Sequence, residues 1–196
     1  MSLIKSFLVA LAMTVSAATV VAPMAAAQGT TIVVIDQVKI LRDSLAGKDF
    51  QNKLKNIEEQ IERELKPVAD SLATEGKSLQ SRLNGKTQQQ IAADTALVNS
   101  LQSYERRAND FARKRQIAAT ELQMTERYAL NEFNKALQPA LLEVVREKNA
   151  QIVMSRSQAI YTDPSFDSSA LVISKLNAKT KTISVTRQKL PIAPNQ

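Results

Sequence analysis

Apolar residues recur every three or four positions through the first half of the chain, at Phe50, Leu54, Ile57, Ile61, Leu65, Val68 and Leu72. That spacing lines one face of a helix, with Lys53, Glu58, Glu62 and Arg63 on the other. A second, thinner stripe through Leu97, Leu101, Phe111, Ala118, Leu122, Phe133 and Leu137 predicts a descending helix in which Ala replaces many larger residues. Between them, Asn84-Gly85-Lys86-Thr87 joins residues that accept left-handed backbone angles to a Thr that can cap the next helix. Residues 48–145 therefore read as a helical hairpin with its tip near 84–87. An ascending helix of about 40 residues spans about 60 Å at 1.5 Å per residue, wider than an ordinary small domain. Pro67 predicts a kink, because it removes a backbone hydrogen bond and crowds the preceding turn. Gly76 softens the same helix by about 1 kcal/mol against alanine, so Pro67 and Gly76 are candidate hinges. Pro139 predicts a second bend or a fresh helical start before Leu141, Leu142, Val144 and Val145 enter a body.

The flanks of the hairpin follow a different rhythm. Residues 31–35, Thr-Ile-Val-Val-Ile, form a β-branched run suited to a strand covered on both faces. A short helix over 37–44 is expected next, broken by Gly47. After the hairpin, 151–154 and 159–161 read as short strands joined by a turn, and Asp163-Pro164 breaks the chain. Asp167 or Ser168 can cap a last helix running to about Asn177, with Leu171, Val172 and Leu176 facing inward. Residues 182–186 are expected as an edge strand, and 187–196 as a flexible tail. These flanks, 28–47 and 146–186, make a β-rich base. Its roughly 50 to 60 residues are marginal for a single core without metal, disulfides or association. Self-association through Ile32, Val33, Val34, Ile35, Ile152, Val153 and Met154 is the natural expectation.

Residues 1–27 follow the plan of a signal peptide: Lys5 near the start, an apolar run from Phe7 to Val21, then small residues ending in Ala25-Ala26-Ala27. Cleavage between Ala27 and Gln28 is expected. An uncleaved anchor is the competing reading, but the run is short for a bilayer that needs about 20 apolar residues.

Composition narrows the chemistry. Cysteine and histidine are both absent, which removes disulfides, most soft-metal sites and the nucleophile pairs built on Cys or His. No enzyme activity and no cofactor are expected. Gly76-Lys77-Ser78 and Gly85-Lys86-Thr87 imitate the end of a phosphate-binding loop, but the required earlier glycines are Ser71 and Gln80. The formal charge of +7 favours acidic partners. For an exported chain these are acidic polypeptides, anionic lipid or lipopolysaccharide, and not nucleic acid. Arg106, Arg107, Arg113, Lys114 and Arg115 form the densest basic stretch. Its bland reading is a solvated helix face, and its functional reading is contact with an anionic partner or client. Glu58 with Glu62 and Glu121 with Glu126 read as solvated carboxylates rather than acid-base pairs. Where Ala thins the stripe, apolar surface is left for another chain.

The run Val33-Val34-Ile35-Asp36-Gln37-Val38-Lys39-Ile40-Leu41, the long charged hairpin, and the segment from Ala159-Ile160-Tyr161 through Phe166-Asp167-Ser168-Ser169-Ala170-Leu171-Val172 to Leu176-Asn177 resemble the Skp/OmpH family of periplasmic chaperones. The resemblance covers nearly the whole chain after residue 27. It implies an α+β, predominantly helical fold: a small β base carrying a long α-helical coiled-coil hairpin, or tentacle, in a jellyfish-like homotrimer. It also implies an ATP-independent periplasmic holdase that keeps unfolded outer-membrane β-barrel proteins in a cavity between tentacles and prevents their aggregation before membrane insertion. Ser155 departs from the Asp that relatives often carry, and Ser168-Ser169 from a hydrophobic-Thr pair. The lipopolysaccharide site of some members finds no matching residues here. The alternative is a coiled-coil spacer or adaptor of the cell envelope with one folded partner. That reading requires a stiff arm, which Pro67 and Gly76 disfavour.

Overall fold

The computed structural model describes residues 29–190; the leader and the Ala27–Gln28 cleavage point lie outside the described residues. Strand β1 (Ile32–Ile35) is parallel to β2 (Ile152–Ser155), with Ile32 opposite Ile152 and Ile35 opposite Ser155. Parallel strands need a crossover connection, and here the crossover is the entire hairpin. On its other side β1 meets Asp167 through a single bridge at Val34, whose carbonyl accepts the Ser168 N–H at 2.9 Å. Flanked on both sides, Val33, Val34 and Ile35 are buried, as a β-branched run without alternation predicts.

Asp36 accepts the Lys39 N–H at 2.9 Å and caps α1 (Gln37–Asp43). Ser44 then ends one helix and starts another: it stands in extended backbone and its hydroxyl accepts the Gly47 N–H at 3.0 Å. Helix α2 (Leu45–Leu83) follows, 39 residues and about 58 Å long. The break expected at Gly47 therefore falls at Ser44, and Gly47 sits in the first turn of α2. A Cβ there would lie 1.7 Å from the Leu41 carbonyl oxygen, so glycine lets α1 and α2 meet almost in contact.

At the tip Gly85 takes a φ of +77°, and Thr87 caps α3 (Gln88–Ala93) through a reciprocal pair with Gln90. The descending limb is not one helix. Asp94 interrupts it and caps α4 (Thr95–Glu147) by accepting the Leu97 N–H at 2.9 Å. Helices α2 and α4 run unbroken through Pro67 and Pro139 respectively. No fresh start occurs at Pro139, because Leu137, Ala140 and Val144 are buried on either side of it and hold the helix to the base.

After β2 the chain departs most from expectation. Residues 159–161 form no strand: a 3-10 turn (Arg156–Gln158) precedes them, and Ile160 and Tyr161 project into solvent without a sheet partner among the described residues. Helix α5 (Ser169–Lys179) packs on α1 and α4. The buried Ser169 hydroxyl accepts the Asp36 N–H at 2.8 Å, fastening α5 to the β1–α1 corner. Residues 182–186 make no edge strand either. Ile183 inserts into the core beside Phe50, Phe133, Val172 and Leu176. Each such side chain, fully buried, contributes about 1.5–3 kcal/mol.

Candidate functional site

Between α2 and α4, above the base, the hairpin opens into a groove of about 480 Å³. Ile61, Leu65, Ala69, Phe111 and Leu122 line it, and Glu58, Glu62, Lys66, Asp70 and Arg115 form its rim. The opening follows from the thin stripe of α4. Phe111, Arg115 and Leu122 line the groove from α4, and Ala118, buried between them in the stripe, adds little side-chain volume. Higher up the limbs close again over the buried Leu72, Leu79 and Leu97. There Gly76 lies under the Tyr104 ring, where a Cβ would meet the phenol oxygen at 2.9 Å.

The five basic residues do not act together. Arg107 turns across the hairpin to Glu75 and to the Ser71 hydroxyl, the latter at 3.0 Å, while Arg113 pairs with Asp110 at 3.0 Å. Arg106, Lys114 and Arg115 are exposed with no ion pair among the described residues, and Arg115 borders the groove. The strand residues divide as well. Val33, Val34 and Ile35 belong to the internal core, whereas Ile152 and Val153 are exposed and Ile32 and Met154 are half-buried. Ile160, Tyr161 and Phe166 add to the apolar exposure of the base. Val33, Val34 and Ile35 thus lie inside this chain's own core, while β2 and the 160–166 loop carry exposed apolar side chains of the base.

A feature that periodicity does not announce is a strap, residues 183–190, running up the hairpin from the base. Its lower end is held by Asp49, which accepts the Ile183 N–H at 3.0 Å, and by Lys53, which donates to the Ile183 carbonyl at 2.6 Å. Its upper end spans both helices. The Arg187 guanidinium reaches Glu64 of α2 at 2.7 Å and Glu121 of α4 at 2.8 Å. The Gln188 N–H donates to the Thr125 hydroxyl at 2.9 Å and the Leu190 N–H to Glu121 at 3.0 Å. Residues 187–190, expected as part of a loose tail, are therefore docked, because Glu121 and Thr125 replace apolar residues on the inner side of α4. Arg187 holds the Glu64 carboxyl below its usual range, against a smaller opposing effect of burial. Burial works to raise the Asp49 carboxyl, but Lys53 and the Ile183 N–H outweigh it and hold it low. At Arg187 burial opposes the charge, yet the two glutamates raise the pKa.

Strap and groove occupy opposite faces. At 100° per residue, Glu64 stands about 60° to one side of Ile61 and Leu65 about 40° to the other. Asp49 and Lys53 fall with Glu64, while Glu62 and Ala69 fall with Leu65. Along the sequence the strap's signal is confined to Glu121 and Thr125, which interrupt the apolar stripe four residues apart; Glu121 reads there as a solvated carboxylate, and Thr125 carries no reading.

Comparison with known proteins agrees with this architecture. The family model for outer membrane protein (OmpH-like) matches residues 31–176. No curated protein matches the chain. The crystal structure of an OmpH-like protein from Caulobacter crescentus CB15, held to be an outer membrane chaperone, superimposes with a TM-score of 0.69 at 24% identity, over 82% of this chain and 92% of that one. The strap lies beyond the residues that the family model matches. A parallel β pair bridged by a helical hairpin, matched over most of its length, places this chain in the OmpH-like family of outer membrane proteins.

Proposed function

We propose that the protein is an ATP-independent periplasmic holdase, which binds unfolded outer-membrane β-barrel proteins between helical arms and prevents their aggregation before insertion. The observation that carries this reading is the open groove between α2 and α4, apolar along its floor and mixed in charge at its rim. Such a surface accepts apolar side chains of many sequences without demanding one shape. Family membership supports the same reading, as do the leader-like residues 1–27 and the formal charge of +7. Association of three copies through β2 and the 160–166 loop would bring three arms around a shared space, and the exposure of Ile152, Tyr161 and Phe166 supports it. The unpaired Arg106, Lys114 and Arg115 suit anionic client segments, lipid or lipopolysaccharide. Holding of this kind needs no catalysis, nucleotide or cofactor.

Aggregation of a β-barrel precursor diluted from urea tests the reading. Purified protein lacking residues 1–27, at one trimer per precursor, is expected to suppress light scattering, and Leu65→Glu with Phe111→Glu to lose that effect. Unchanged scattering with the parent protein overturns the proposal. The spacer reading draws on the unbroken course of α2 and α4 through their prolines. It predicts that one folded partner, rather than many precursors, co-purifies in stoichiometric amount.

A further inference from the structure

We propose that Glu64, Glu121 and Thr125 form a receptor for an extended, arginine-bearing polypeptide segment, occupied in this chain by its own residues 187–190 and exchanged for a client segment of the same chemistry. A hairpin that only had to close on itself would carry apolar residues at 121 and 125, four apart on the inner side of α4. It carries instead a carboxylate whose side chain is 8% exposed and a fully buried hydroxyl. Buried polar groups are costly without partners, and beyond the helix backbone the partners of these two come from the strap. One Glu121 oxygen takes the Arg187 guanidinium and the other takes the Leu190 N–H. The Thr125 hydroxyl donates to the Glu121 carbonyl at 2.7 Å, which orients its lone pair toward the Gln188 N–H. Two of the contacts are therefore made to backbone N–H groups and one to a guanidinium. Any extended segment with an arginine and two free N–H groups at that spacing meets the same demands, whatever its other side chains.

The strap is tethered at Ile183, only a few residues away, so it competes at an effective concentration on the order of millimolar. It is a self-supplied occupant, and a client already held in the groove on the opposite face gains a local concentration of its own with which to displace it. The identity of the displacing chain rests on the holdase reading; the receptor itself does not.

A fluorescent peptide of residues 182–190, titrated against the parent protein and Arg187→Ala, reads the receptor. Arg187→Ala is expected to bind the peptide at least tenfold tighter, because its own strap competes less. The same peptide with Ala in place of its arginine is expected to lose that affinity. Circular dichroism and thermal melting confirm that the variant keeps its fold, and Thr186→Ala, whose side chain makes no contact invoked here, serves as a control that leaves peptide affinity unchanged. Equal binding to parent and Arg187→Ala, or binding indifferent to the peptide's arginine, overturns the receptor. Exchange is read separately on the full chain with urea-diluted β-barrel precursor. The Gln188 and Leu190 amides are expected to exchange deuterium at least tenfold faster, with the Ile183 amide unchanged. Precursor bound while those two amides keep their protection overturns the exchange and leaves the holdase standing. Precursor not bound at all overturns the holdase and with it the displacing chain, while the peptide titration still decides the receptor.

Discussion

An alanine at position 47 would set its Cβ 1.7 Å from the Leu41 carbonyl oxygen, a backbone atom that cannot step aside without moving the end of α1. Gly47→Ala is therefore expected to cost about 1–3 kcal/mol, as other overpacked core substitutions do, read as a lower urea midpoint. Gly76→Ala meets only the far end of Tyr104, a side chain that can rotate away. Its clash is offset by a helix-propensity gain of about 1 kcal/mol, so its unfolding free energy is expected to stay within about 0.5 kcal/mol of the parent's. Both glycines stand out in the sequence as irregularities, and both invited a reading as breaks or soft points. Only the approach of Leu41 and Tyr104 reveals that space explains their positions as well. The converse holds for Glu121, an ordinary surface carboxylate by composition. Its burial depends on a segment more than sixty residues further along the chain, which no local pattern encodes.

At the scale of elements, hairpin spacing was legible because two long stripes of period three to four have no other structural use. Residues 84–87 were legible because turn chemistry is local. The strap was not, since extended backbone held by side-chain carboxylates shows neither helical nor strand periodicity. Residues 159–161 were misread for a related reason: β-branched and aromatic character suits a strand, but a strand needs a partner. Proton linkage gives the strap a testable signature. The Glu64 and Asp49 carboxyls are held below their ordinary values in the folded chain. Such groups stabilise fully above their unfolded pKa and lose that contribution as pH falls through the folded one. Arg187 stays charged throughout that range. Tryptic cleavage after Arg187 and Lys189 itself needs neutral pH, so release is better followed by the exchange rate of the Gln188 and Leu190 amides, corrected for intrinsic rate. Protection is expected to be constant near pH 6–7 and to fall below about pH 4. For the arm, Pro67→Ala restores a backbone hydrogen bond inside α2. Spin labels placed on the two sides of that turn are expected to show a narrower distance distribution than in the parent.

For the whole molecule, the base leaves Ile152, Val153, Tyr161 and Phe166 uncovered while its interior is closed. A monomer with that surface is a liability, and the proposed trimer would cover it. Tyr161→Asp is expected to shift sedimentation from trimer to monomer at micromolar concentration with little change in helix content. A parent protein that sediments as a monomer would contradict the enclosed space directly. The parallel pairing of Ile32 with Ile152 has a further consequence, for time rather than shape. Those partners are 120 positions apart in the chain, so the sheet closes only after both limbs of the hairpin exist and have met. Synthesis runs from β1 toward β2, leaving the most apolar strand as the first to emerge and the last to be paired. Until that pairing, an OmpH-like chain carries the same hazard as the clients proposed for it, and its helices form early around a base that matures late.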